Sequence, residues 1–217
     1  MRGGAAALSG VTAVALAGLL GACVGTPMPV PSPEYTSHYV APPPTRLAPL
    51  TGVVLEPGAE LGPSLAAKID NHPDARPQVG LEHTDLVFEE LVEGGLTRYI
   101  AVWQSDVPGE IGPIRSIRPM DPDIISPFGG IVAYSGGQFR FVEAMKATDV
   151  YNAIHGQADT ADVMFRTDDK VAPHNVIVRA KRLIAKHADL KPPPQSFAFA
   201  IDVSASSAVR DLSLIHI

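Results

Sequence analysis

One cysteine, Cys23, occurs in 217 residues. That excludes an intrachain disulfide framework and any zinc centre built on several thiolates. Charge is sparse too: 17 Lys and Arg against 23 Asp and Glu leave a formal net charge of −6. No broad positive field draws such a chain to nucleic acid, and none is expected as a partner. The apolar run near the N-terminus, residues 11–20, is too short to cross a bilayer, which needs about 20 residues. What the chain has in quantity is proline and glycine, 21 and 19 residues, beside a hydrophobic content of 46%. This is the composition of a globular part joined to long irregular segments. The length suits one domain of ordinary size, or one domain and part of another.

Residues 1–22 have the form of a bacterial export signal: Arg2 near the start, the apolar run, then small residues. The run ends in Leu20-Gly21-Ala22-Cys23, which resembles the lipobox of bacterial lipoproteins, where the cysteine sulfur is acylated and the chain is cut before it. The resemblance implies lipidation of Cys23, with the lipid bilayer as partner and the outer face of the bacterial cytoplasmic membrane as location. Residues 23–47 then turn to Pro, Thr, Ser and Val, including Pro42-Pro43-Pro44. Such a stretch cannot form a core and favours extended polyproline conformations, so it reads as a disordered tether.

The folded part is expected over residues 48–191, as an α+β domain with a mixed sheet and flanking helices. Leu65-Ala66-Ala67-Lys68-Ile69 reads as a first strand leading into the turn Asp70-Asn71-His72-Pro73. Asp70 and His72 are two potential metal ligands in one turn; a site needs a third, so no metal and no cofactor is expected. Residues 85–103 read as a hairpin closed by Gly94-Gly95. With those glycines as a two-residue turn, Leu91 faces Arg98, Glu89 faces Ile100, and Arg98 lies diagonal to both Glu89 and Glu93. Phe88, Val92, Tyr99, Ala101 and Trp103 then form the core face. Glu90 falls on it too, where it must contact an arginine or carry a raised pKa. A helix with Val87, Phe88, Leu91 and Val92 on one face is the rival reading.

Function is expected to converge on Gly112-Pro113-Ile114-Arg115-Ser116-Ile117-Arg118-Pro119. Each proline biases its predecessor away from helix, so two guanidinium forks sit on a stiff loop, a form suited to carboxylate or phosphate. The same arginines could instead serve the protein's own carboxylates. Met120-Asp121-Pro122-Asp123 reads as more loop. Gly130–Tyr134 reads as a buried strand, Ser135-Gly136-Gly137 as a turn, and 138–146 as a helix whose start could add backbone N–H donors to an anion site. The ligand-binding set is therefore Arg76, Arg98, Arg115, Arg118, Gly136 and Gly137.

A different chemistry fits the same stretch. Ala133-Tyr134-Ser135-Gly136-Gly137 has the small residues around a serine that a nucleophile elbow requires, with Asp149, Asp162, His155 and His174 downstream. An envelope hydrolase using Ser135, or an acid–base pair drawn from Glu89, Glu90 and His174, is the alternative function. Residues 179–188 read as a helix with Ala180, Leu183, Ile184 and His187 on one stripe. Arg179, Lys181, Arg182 and Lys186 face away, as a solvated face or one that touches anionic lipid.

Four strings, Lys68-Ile69-Asp70-Asn71 through Ala75-Arg76-Pro77-Gln78, Glu90 through Arg98, Gly112 through Pro119, and Pro173-His174-Asn175, together resemble the YerB-like family of bacterial lipoproteins. The likeness runs from about residue 48 to 190. It implies a lipoprotein class, no assigned reaction, and a second, C-terminal domain, of which residues 192–217 would be the linker and truncated start. Leu212-Ser213-Leu214-Ile215-His216-Ile217 resembles translated adaptor sequence, and His216 is given no role. The expected function is a non-catalytic binding or scaffolding lipoprotein whose partner is an anionic envelope ligand or a protein.

Overall fold

The computed structural model describes residue 40 and residues 45–199. The signal, Cys23, most of the tether and residues 200–217 lie outside the described residues. A five-stranded mixed sheet organises the rest, in the order β2-β3-β1-β4-β5. β1 (Leu65–Asp70) is central and every one of its residues is buried. Small apolar side chains let it be covered on both faces. β1 pairs antiparallel with β3 (Thr97–Trp103) and parallel with β4 (Ile131–Tyr134). β2 (Leu86–Leu91) closes one edge against β3, and β5 (Tyr151–Ile154) the other against β4. The parallel strands β4 and β5 are joined through α2 (Phe139–Lys146), as a crossover requires.

Two apolar layers flank the sheet. One holds Leu65, Ala67, Ile69, Ala101 and Trp103 against α3 (Ala180–Lys186) and the hairpin of β6 (Met164–Arg166) and β7 (Val176–Val178). The other holds Ala66, Ile100, Val102 and Tyr134 against α2 and a short helix α1 (Asp121–Ile125). The α+β class and mixed sheet agree with expectation, and residues 86–91 are a strand rather than the rival helix. Residues 121–125, read as loop, are helical, with Pro122 in the first turn where its missing N–H costs nothing.

The hairpin register differs from the expected one by a residue. Val92 N donates to Leu96 O at 2.8 Å, so Glu93-Gly94-Gly95 make a three-residue loop. Leu91 therefore faces Thr97, and Glu90 faces Arg98. A one-residue slip exchanges faces: Arg98 now shares a face with Glu90, Phe88 and Ile100, while Tyr99, Ala101 and Trp103 pack on the other. The expected single core face is thus divided between two layers.

Candidate functional site

The parallel strands carry their C-terminal ends to one edge, the place where open sheets with parallel strands usually bind ligands. There the even-numbered face of β1 changes from Ala66 to Lys68 and Asp70. Asp70 lies opposite Arg98, which lies opposite Glu90, so three charged residues form a row across β1, β3 and β2. The arginine loop covers this row. Asp70 N donates to Pro113 O, Arg115 N to Lys68 O, Ser135 N to Arg115 O and Ile117 N to Gly136 O, at 2.8–3.1 Å. The loop is therefore bonded to β1 on one side and to the turn after β4 on the other, which makes it as stiff as the flanking prolines suggest.

Beneath the loop is a buried triad. Lys68 Nζ, fully buried, contacts Glu90 Oε2 and lies 2.8 Å from Asp121 Oδ1. Asp121 Oδ2 also accepts the Arg118 N–H at 2.9 Å, whereas Glu90 Oε1 is buried with no hydrogen-bond partner. One ammonium serving two carboxylates leaves an excess negative charge in a dry place. Burial, chiefly, and Asp121 push Glu90 up to about 7, with the Lys68 contact opposing. The raised pKa expected of Glu90 is present; its cationic contact is a lysine rather than an arginine.

The three arginines differ in what holds them. Arg118 donates from Nε to Glu93 Oε2 at 2.9 Å and from Nη1 to the Ser116 and Ile117 carbonyls, and Glu93 itself is exposed. Arg115 Nε lies 3.0 Å from Asp70 Oδ2 but is not aimed for a hydrogen bond, and Nη1 reaches Pro173 O at 3.4 Å. Arg98, nearly buried, donates to Ser116 O at 2.9 Å and, among the described residues, makes no ion pair. Burial, then the neighbouring Arg118 and Arg115, push it down to about 10. Arg76 is apart from them: it bonds Asn71 and lines an open groove of about 640 Å³ with Asp74, Asp168, Asp169 and Lys170.

Asp70 is a second centre. Its Oδ1 accepts the His72 backbone N–H at 3.1 Å, and its Oδ2 pairs with His174 Nδ1 at 2.6 Å. The imidazoles of His72 and His174 are stacked, centroids 4.5 Å apart and planes 19° from parallel. His72, Asp74 and His174 each bring a potential ligand atom within 4.8 Å of the others, so these three could hold a metal. His174 is thus bonded to Asp70.

Ser135 follows β4 as expected, and its carbonyl accepts from Ser116 Oγ at 3.5 Å. Among the described residues its hydroxyl makes no hydrogen bond to a histidine; the adjacent His155 bonds Tyr134 O through its backbone. Gly136 and Gly137 bind the loop through backbone and packing on Ile117. The sequence reading missed Lys68 as an ion-pair partner, and Asp121. The available signal was the alternation Ala66-Lys68-Asp70, which puts two charges on one face of an otherwise apolar strand.

A family model described as the N-terminal domain of a protein of unknown function (DUF3048) matches residues 50–192. Over 131 residues the chain is 35% identical to "Putative lipoprotein YerB" of Bacillus subtilis (strain 168), covering 59% of this chain and 38% of that protein. The crystal structure of the YerB protein from Bacillus subtilis superposes with a TM-score of 0.61 and 28% identity, covering 72% of this chain and 55% of that one. The chain thus spans well under two thirds of each of these relatives.

Proposed function

The chain belongs to the family defined by the DUF3048 N-terminal domain, and from that premise we propose that it is a lipid-anchored, non-catalytic binding module of the bacterial envelope. Its anchor is an acylated Cys23 at the outer face of the cytoplasmic membrane. Its ligand is an anion, a carboxylate or phosphate of the envelope, taken by Arg98, Arg115 and Arg118 at the C-terminal edge of β1 and β4.

The observation that carries this reading is Arg98. A guanidinium that is nearly buried, crowded by two others and without an ion pair of its own among the described residues is relieved when an anion arrives. Arg118 adds to this. Its fork is occupied by Glu93, whose carboxylate is exposed and open to replacement by a ligand carboxylate or phosphate that presents the same acceptor oxygens.

The test uses inorganic phosphate and citrate at constant ionic strength, read as a saturable rise in thermal midpoint. Arg115→Ala combined with Arg118→Ala is expected to abolish the rise. Glu93→Gln removes the internal competitor and is expected to tighten binding several-fold. If neither anion shifts the wild type, or Glu93→Gln binds no better, the anion site is wrong. The Asp70–His174 pair favours a second reading, a hydrolase with His174 as base. That reading requires hydrolysis of an envelope ester or amide that is lost in His174→Ala.

A further inference from the structure

We propose that His72, Asp74 and His174 form a binding site for a first-row divalent cation of the zinc type, with Asp70 as the carboxylate that orients it. The sequence offers only two ligands in the turn after β1. The fold brings a third from the loop before β7, 102 residues away in sequence from His72.

Two of the three donors are already spaced as such an ion requires. In a tetrahedral site with bonds of about 2.1 Å, ligand atoms are separated by about 3.4 Å. His72 Nδ1 and Asp74 Oδ2 are 3.4 Å apart. One ligand atom of His174 lies within 4.8 Å of those of the other two, and because the two imidazoles are stacked, His72 must turn out of the stack for both rings to aim a lone pair at one ion. Asp74, with 71% of its side chain exposed, and His72, with 32%, have room to make that adjustment. His72 Nδ1 accepts the Asp74 N–H at 3.2 Å; an ion would take over that lone pair at an exposed turn, where water can satisfy the amide.

Asp70 supplies what a metal-binding histidine usually has behind it. A carboxylate can only accept, so His174 Nδ1 carries the hydrogen in its 2.6 Å contact with Asp70, which leaves Nε2 as the ring nitrogen available to an ion. The other Asp70 oxygen holds the His72 backbone, so one side chain anchors the His174 ring and the turn that carries His72. Arg115 contacts the same Asp70 oxygen as His174, which holds the carboxylate from behind. Entry is open, because Asp74 also lines the groove of about 640 Å³. Two imidazoles and one carboxylate suit Zn²⁺ and its neighbours better than Mg²⁺ or Ca²⁺, and leave a fourth position for water or a ligand.

The test titrates the untagged, chelator-stripped full chain with Co²⁺, followed by visible absorption, and with Zn²⁺ by calorimetry. One equivalent is expected to bind. Asp74→Asn, whose exposed side chain leaves the core alone, and the double variant His72→Ala with His174→Ala should each weaken binding by more than about tenfold. Asp70→Asn leaves all three ligands in place and should weaken it by about 10–100-fold. The proposal fails if the wild type shows no saturable uptake, or if both Asp74→Asn and the double histidine variant bind as the wild type does. A thiolate-to-cobalt charge-transfer band, which would put the ion on Cys23, also overturns it.

Discussion

Glu90 is the residue at which the interior is least comfortable. Lys68 is shared with Asp121, which keeps a second donor in the Arg118 amide, so the proton that relieves the excess charge goes to Glu90. Its pKa of about 7 lies above the unfolded value of 4.5. Between those values the folded protein holds a proton that the unfolded chain has released. Stability from this group is therefore fully present below about pH 4.5 and declines as pH rises through about 7. Glu90→Gln keeps the neutral shape and removes the titration. Relative to the wild type it is expected to gain about 1–3 kcal/mol between pH 5 and pH 8, read from urea unfolding at each pH. A difference between the two proteins that does not change with pH would mean that Glu90 stays ionised throughout. Lys68→Met is the opposite case: it leaves two buried carboxylates unpaired, and removing one partner of a buried pair costs about 3–5 kcal/mol.

Among the elements, two glycines separate backbone strain from steric exclusion. Gly94, in the β2–β3 loop, has φ 73° and ψ 17°, and a Cβ there would meet nothing within 4 Å. Gly130, at the entry to β4, has φ 66°, and its Cβ would stand 2.3 Å from Ser64 O, just before β1. Gly94→Ala is expected to cost about 1 kcal/mol, the left-handed penalty alone. Gly130→Ala forces β1 and β4 apart and should cost about 3 kcal/mol or more. Denaturant midpoints compare them directly, and equal losses would show that the β1–β4 contact gives way easily. The same elements show how far the sequence could be read. β1, β4, α2 and α3 were legible because their apolar spacing is clear and glycine or proline marks their ends. The hairpin was legible as a hairpin but not in register, because Gly94-Gly95 suits a two-residue turn as well as the last two positions of a three-residue one. That single residue decided whether Arg98 faced Glu90 or its neighbours. β5, with Tyr151 and Asn152 half-buried on a short edge strand, and the three-residue β6 and β7 offered too little periodicity to be found. The arginine loop was visible as a stiff connection. Its union with Asp70, His72 and His174 was not, since those contacts span up to 104 residues and no local pattern encodes them.

For the whole molecule, the proposed attachment to a membrane rests on one sulfur atom, that of Cys23. No helix among the described residues is long and apolar enough to cross a bilayer, and a formal charge of −6 gives no general attraction to anionic lipid. The basic side of α3 is a poor substitute. Arg182 and Lys186 pair with Asp162, Arg179 donates to the Asp162 carbonyl, and these bonds hold the helix to its own domain. Acyl chains on Cys23 would act differently, since each buried methylene adds about 0.8 kcal/mol and two or more chains give stable anchoring. Cys23→Ser is accordingly expected to abolish incorporation of labelled palmitate and to move the chain out of the salt-washed membrane fraction, with the thermal midpoint of the folded domain unchanged. Palmitate label surviving the substitution, or a variant that stays with washed membranes, would place the attachment elsewhere in the chain.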